Sequence, residues 1–219
     1  MVIFDCNGVL VDSEQIATAV LADALRQAGL AWIADIVARR FHGRRSEDIF
    51  ASVERMTNRP LPADFQAKVA AETLRRLYAE LRPVPHAAHA LAWIRGPKAV
   101  ASSSSLDRIR ASLHIAGLLR FFGPRLFSAS DVPRGKPAPD LFRRAARELK
   151  VDPADCIVVE DSVAGVSAAK AAGMRPIGFV GRSVEEEGQL AQNLMAAGAR
   201  AVITDLRALK GAIIDLRGW

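Results

Sequence analysis

The chain is poor in the features that would take it out of the ordinary globular class. It has only two cysteines, Cys6 and Cys156, in 219 residues. That argues against a disulfide-stapled secreted scaffold and predicts a reduced, cytoplasmic protein. A bridge between the two stays open, because both fall in or beside strand-like segments and two strands of one sheet can be adjacent. No apolar run approaches the roughly 18 residues that a membrane span needs, so no membrane partner is expected. The opening segment has no basic leader, and Asp5 interrupts its apolar run, which predicts no signal peptide. Aromatics make up 6% of the residues, and they do not interleave with basic ones in the manner of RNA-binding surfaces. The net charge of +6 comes from short scattered pairs, such as Arg75-Arg76 and Arg143-Arg144, and not from one basic block. No nucleic-acid partner is expected. A modest positive field would still draw in a phosphate ester. Internal repeats and low-complexity tails are absent, and nothing narrows the oligomeric state beyond a monomer or small homo-oligomer.

Against these absences, half of the residues are hydrophobic and a quarter are charged, ample for a core. Short apolar segments at 2–4, 99–101, 125–127, 157–159, 177–180 and 201–203 are bounded by turn or polar residues and predict strands. From Pro97 onward they alternate with helical patterns, among them "SLDRIRASLHIAGLL", "APDLFRRAARELK" and "SVAGVSAAKAAG", the last opening on a Ser cap and stopping at Gly173. Such alternation predicts an α/β fold, a parallel sheet with helices on both faces. Its binding crevice lies at the carboxyl ends of the strands.

Residues 13–85 break the alternation. "SEQIATAVLADALRQAGL", "SEDIFASVERMTN" and "PADFQAKVAAETLRRLYAEL" are all helical in pattern, with no strand between them. The expectation is a small all-helical domain at 13–85, inserted after the first strand of a core made of 1–12 and 86–219. Pro83 and Pro85 would stiffen the hinge.

Four short segments then fall at the carboxyl ends of four predicted strands: "FDCNG" with Asp5 and Asn7, "AVASSSS" with Ser102, "RGKPAPD" with Lys136, and "VVEDSVAG" with Glu160 and Asp161. Each alone has an ordinary explanation. An Asp after a strand caps a turn, a Ser run is a loop, Gly-Lys-Pro is a surface turn, and Glu-Asp caps the next helix. Their convergence on one sheet edge is the signal.

In this order the segments resemble the four motifs of the haloacid dehalogenase superfamily, and the resemblance spans essentially the whole chain. The inserted helices resemble the small helical cap of its subfamily I. "GKPAPD" and "EDSVAGVSAAKAAGM" resemble the branch that holds β-phosphoglucomutase, phosphoglycolate phosphatase and many sugar-phosphate phosphatases. The resemblance implies a Rossmann-like core and Mg²⁺-dependent phosphoryl transfer through an aspartyl-phosphate. Asp5 would be the nucleophile. Mg²⁺ would be held by Asp5, the backbone carbonyl of Asn7 and Asp161, with Glu160 beside it or bound through water. Lys136, Ser102 and the neighbouring Ser103 and Ser104 would face the phosphoryl oxygens. The substrate would be a small phosphorylated metabolite, a sugar or polyol phosphate. A mutase acting on phosphosugars and a silent phospho-ligand binder are the alternatives.

Asn7 departs from the family pattern, which places a second aspartate two residues after the nucleophile as general acid and base. An amide neither takes up nor releases a proton at neutral pH. Engineering, drift to another reaction or loss of activity, and partial deamidation at Asn7-Gly8 each account for it. A dehalogenase also lacks that aspartate, but it has no need of the Glu160-Asp161 pair. On the insert, "FHGRRSEDI" resembles the cap loop that faces the active site, making His42, Gly43, Arg44 and Arg45 candidate substrate contacts, with Glu14 and Gln15 at the first cap helix. The plainer reading of the arginines is a solvated helix start capped by Ser46. His86 and His89, three apart on a predicted helix, lack partners at metal-binding spacing.

Overall fold

The computed structural model describes residues 1–30, 36, 44–181 and 187–217. His42 and Gly43 lie outside the described residues. Six strands form one sheet: β1 (Val2–Phe4), β2 (Lys98–Ser102), β3 (Leu126–Ser128), β4 (Ile157–Glu160), β5 (Arg175–Phe179) and β6 (Ala201–Ile203). They are ordered β3-β2-β1-β4-β5-β6, and all five pairings are parallel. Each expected strand is present within a residue or two of its expected bounds. The order reverses at β1, which lies between β2 and β4. That is where a parallel sheet opens a crevice at its carboxyl edge.

Side chains alternate across the sheet, so each strand feeds two cores. Val2, Phe4, Val100, Val159 and Ile177 join one cluster. It is covered by Leu91 of α4 (Ala87–Trp93), by Ile109 and Leu113 of α5 (Leu106–Ile115), and by Ile213 of α9 (Leu209–Arg217). Ile3, Ala101, Phe127 and Val158 join the other. That face is covered by Leu141, Phe142 and Ala145 of α6 (Asp140–Leu149) and by Ala168 and Ala169 of α7 (Val163–Ala171). Val2, Ile3 and Phe4 are fully buried, which stabilises by roughly 1.5–3 kcal/mol per large side chain. Phe122 meets Phe4 edge-to-face with ring centroids 6.2 Å apart. Leu194 of α8 (Glu187–Ala197) packs with Val166 and Val180 at the β6 side.

Between β1 and β2 the chain forms α1 (Glu14–Gln27), α2 (Ser46–Thr57) and α3 (Phe65–Glu80), with no strand among the described residues of that stretch. These helices bury a cluster of their own around Val20, Leu25, Phe50, Val53, Phe65 and Val69. The chain leaves and returns side by side: Asp12 N donates to Arg82 O at 2.9 Å, and Val84 N donates to Leu10 O at 2.9 Å. Two local expectations are corrected. The N-cap of α2 is Arg45, in extended conformation, and Ser46 is already helical. The preference of Ser for N-caps gave way to the tertiary contacts of the arginine described below. His86 is not helical either: it caps α4 with a left-handed φ of 65°, its Nε2 4.0 Å from Asp205 Oδ2. The cysteines are both buried and free.

Candidate active site

Asp5 is the first residue past β1, and its N–H donates to Val159 O at 2.9 Å, which ties its backbone to β4. Gly8 then takes a φ of +76°, a turn that L residues avoid. A Cβ on Gly8 would stand 1.8 Å from Asp161 Oδ2, so the turn after β1 is pressed against the carboxylate that follows β4. Lys136 reaches this edge from the loop between β3 and α6. Its Nζ donates to Asp5 Oδ1 at 2.5 Å, to Ala101 O at 3.2 Å and to Glu160 Oε1. The three bonds use every N–H of the ammonium and join the ends of β1, β2 and β4. Distant stretches of sequence are thus brought to one spot, as expected for Asp5, Lys136, Glu160 and Asp161.

The electrostatics follow from this packing. Burial pushes Asp5 up, to about 7; Lys136 opposes that rise and Glu160 adds to it. For Lys136 burial favours the neutral amine, but Asp5 and Glu160 outweigh it and hold the ammonium charged. Glu160 is committed on both sides: Oε1 to Lys136, and Oε2 to the Ser162 hydroxyl at 2.9 Å and the Ser162 N–H at 3.3 Å. Expected beside the cation or bound to it through water, it bonds Lys136 and Ser162 here. Ser162 in turn accepts from Gly165 N at 3.0 Å, capping α7. A Cβ on Gly165 would fall 1.9 Å from the Glu160 carboxyl carbon, so only glycine admits this carboxylate.

Asn7 is fixed at both ends of its amide. Nδ2 donates to Ser104 Oγ at 2.9 Å and stands 3.5 Å from Ser102 Oγ, while Oδ1 accepts from the Ser13 hydroxyl at 2.9 Å. Ser102 is fully buried, and its Oγ accepts from Ser104 N at 3.3 Å. Ser128 Oγ donates to Ser104 O at 2.7 Å and fixes the same loop.

A cavity of about 390 Å³ opens between this edge and the inserted helices, within the range of small-molecule sites. Asp5, Asn7, Ser103, Ser104 and Asp161 line its floor, and Glu14, Arg44, Leu21, Phe50 and Val69 line it from the insert. Ser102 and Lys136 are not on its wall, and neither is Arg45. Arg45, expected as a substrate contact, is drawn elsewhere. Its Nε donates to Asp48 Oδ2 at 2.7 Å, and its other nitrogens donate to Ala129 O, Val132 O and Pro133 O at 3.2–3.3 Å. The sequence reading missed Ser13, Ser162 and Arg108, the last also on the cavity wall. Ser162 reads as an ordinary helix cap, Ser13 as the start of a helical stretch, and Arg108 as the polar face of an amphipathic helix.

Among the described residues no group of three or more His, Cys, Asp or Glu side chains could hold a metal ion. The available donor set is therefore mixed: the Asp5 and Asp161 carboxylates, both on the cavity wall, with backbone carbonyls of the Asn7-Gly8 turn beside them. All are hard oxygens, and two further groups, Lys136 and Glu160, back Asp5. Such a set fits Mg²⁺.

The family model of haloacid dehalogenase-like hydrolases matches residues 1–173. The chain is 32% identical to 6-phosphogluconate phosphatase of Escherichia coli over 179 residues, 81% of each protein. It is also 32% identical to hexitol phosphatase A of Escherichia coli over 185 residues, 80% of each. Its fold superposes on a haloacid dehalogenase-like protein of unknown function from Agrobacterium tumefaciens with a TM-score of 0.80 and 36% identity, covering 99% of this chain and 98% of that one. No helix among the described residues is long and apolar enough to cross a membrane.

Proposed function

Because this chain belongs to the haloacid dehalogenase-like hydrolases, we propose that it is a Mg²⁺-dependent phosphatase of a small phosphorylated sugar or polyol, acting through an aspartyl-phosphate. The observation that carries this reading is the Asp5–Lys136–Glu160 triad, whose Asp5 lines the floor of the cavity. Asp5 attacks phosphorus, the alkoxide leaves, and water later cleaves the acyl phosphate. Lys136 holds Asp5 in place and offsets negative charge as the phosphoryl group arrives. Glu160 keeps Lys136 charged and aimed. The hydroxyls and N–H groups of Ser103 and Ser104 receive the phosphoryl oxygens, and Ser102, one layer behind, orders that loop. Asp5, the Asn7 carbonyl and Asp161 would hold Mg²⁺, which supplies charge neutralisation on the transferring group. The helices at 13–85 act as a cap that excludes water and contacts the leaving group through Arg44 and Glu14. The surroundings of such a reaction are cytoplasmic.

Asn7 favours a second reading, a protein that binds phosphorylated ligands without turning them over. Its amide is occupied by Ser13 and Ser104 and does not titrate, so it gives no general acid or base. One experiment separates the readings: phosphate release from a panel of sugar and polyol phosphates with Mg²⁺, for this chain and for Asp5→Asn. Release that is lost in Asp5→Asn supports the phosphatase. Interconversion of sugar phosphate isomers without release supports a mutase. Tight binding with neither supports the silent binder.

A further inference from the structure

Arg108 sits in the first turn of α5 and lines the cavity together with Asp5, Asn7, Ser104 and Glu14. Its Nε is buried and has no hydrogen-bond partner among the described residues. Several other arginines are satisfied by carboxylates, Arg75 by Glu72, Arg76 by Glu80, Arg144 by Glu148 and Arg207 by Asp205; Arg175 Nε is also buried without a partner, but Arg175 is not on the cavity wall. A buried guanidinium nitrogen without a partner is costly. Burial is also the largest influence on Arg108 and lowers its pKa, although Glu14, Cys6 and Asp5 oppose that. Lys136 is held by Asp5, Glu160 and Ala101 at the sheet edge, behind the cavity floor. Arg108, like Arg44, is a cation on the cavity wall itself, and a planar fork of N–H groups suits a carboxylate or a phosphate.

We propose that Arg108 is a specificity residue that grips a second anionic group on the substrate's organic part, so that the site prefers a phosphorylated acid or a bisphosphate to a neutral polyol phosphate. This rests on the phosphatase reading and names the substrate class within it. A site with a buried polar group left unpaired rejects the analogue that cannot pair it more strongly than it rejects a change of shape.

The test is equilibrium binding by calorimetry, with Mg²⁺ present, of three probes: 6-phosphogluconate, fructose 1,6-bisphosphate and sorbitol 6-phosphate. The unaltered chain is expected to bind one or both of the dianchored probes about 10–100-fold more tightly than sorbitol 6-phosphate. The carboxylate and bisphosphate arms tell which anion is gripped. Arg108→Gln is expected to lose most of that ratio, while sorbitol 6-phosphate weakens by far less. The ligand-free Arg108→Gln protein should also melt at or above the temperature of the unaltered chain, because a buried guanidinium nitrogen without a partner is gone. A ratio that survives in Arg108→Gln overturns the assignment. Equal weakening of all three probes also overturns it, and would place Arg108 on the phosphoryl group. If no probe binds and neither this chain nor Asn7→Asp releases phosphate from p-nitrophenyl phosphate, the phosphatase reading falls and this assignment with it.

Discussion

The Lys136 ammonium stands 2.5 Å from Asp5 Oδ1 and also bonds Glu160, with the lysine and Glu160 side chains each 1% exposed. One cation thus serves two carboxylates in a place that water does not reach. A buried pair of this kind is weak support for stability when intact and strongly destabilising when broken, because the remaining charge has no solvent. Its geometry therefore speaks to chemistry more than to folding: the lysine fixes the position and charge of the carboxylate that opens on the cavity.

Removing the lysine alone is expected to be worse than removing the pair. Lys136→Met leaves Glu160 buried and uncompensated and should lower unfolding free energy by about 3–5 kcal/mol. Adding Glu160→Gln should recover most of that loss, while phosphate release stays at least about 100-fold down in both variants. Urea unfolding and a phosphate assay on the two proteins check this. A double variant no more stable than the single one would show that the ion pair is not the source of the loss.

Asn7→Asp is expected to raise phosphate release by about 10²–10⁴-fold, the usual contribution of a positioned general acid and base. The pocket can accept the change. Ser104 and Ser102 carry hydroxyls whose protons can rotate toward a carboxylate oxygen, and the Ser13 hydroxyl already donates to Oδ1. The gain should be smallest for p-nitrophenyl phosphate, whose leaving group needs little protonation. Steady-state rates on that ester and on a sugar phosphate measure it. No gain on either ester would point away from ordinary hydrolysis.

The strands were legible because each is a short apolar run between turn residues, as at 157–159, buried on both faces of the sheet. Asp5, Asp161 and Lys136 were legible because they follow strands in an alternating chain, and a parallel sheet collects such residues at one edge. Arg108 was not. Within "SLDRIRASLHIAGLL" it reads as the wet face of an amphipathic helix, and only the insert, packed above α5, turns that face into a cavity wall. Arg45 misled for the converse reason: a cation in a loop reads as a ligand contact, yet backbone carbonyls at Ala129, Val132 and Pro133 capture it. Ser13 stands at the N-cap of α1, but its side chain makes no capping bond and serves Asn7. Ser13 reaches inward because Asn7 waits there, and the Asn7 amide is held in turn by Ser104, far along the sequence.

Gly8→Ala should injure the metal site more than the fold. The added methyl would lie 1.8 Å from Asp161 Oδ2 and must push that carboxylate aside, and φ +76° adds strain of about 1–2 kcal/mol. The expected outcome is a rise of about tenfold or more in the Mg²⁺ concentration for half-maximal phosphate release. A metal titration of both proteins reads it directly. An unchanged Mg²⁺ requirement would remove Asp161 from the proposed ligand set.

The thiols should be silent. Both cysteines are buried, and for Cys6 burial, with Asp5 adjacent, pushes the thiol far above its ordinary range. Burial raises Cys156 as well. The thiolate is the reactive form, so a disulfide-exchange reagent should label neither thiol in the native protein within minutes and both in denaturant. Rapid native labelling would contradict this burial.

Arg45 offers the last test, of the seam between insert and core. Its guanidinium ties the start of α2 to the loop that leads toward Lys136. Its stem also packs on Gly135, where a Cβ would come within 3.1 Å of Arg45 Cδ. Arg45→Ala removes four hydrogen bonds from a side chain that is mostly buried. Stability should fall by about 1–3 kcal/mol, and the cavity roof should lose its register on the floor. Because the chemistry lies at the floor and the leaving group meets the roof, the variant should raise KM about tenfold and lower kcat much less. Hydrolysis of p-nitrophenyl phosphate, which needs little from the roof, should change least. If kcat fell with KM unchanged, Arg45 would be acting on Lys136 through Gly135, and the seam would not be its place of action.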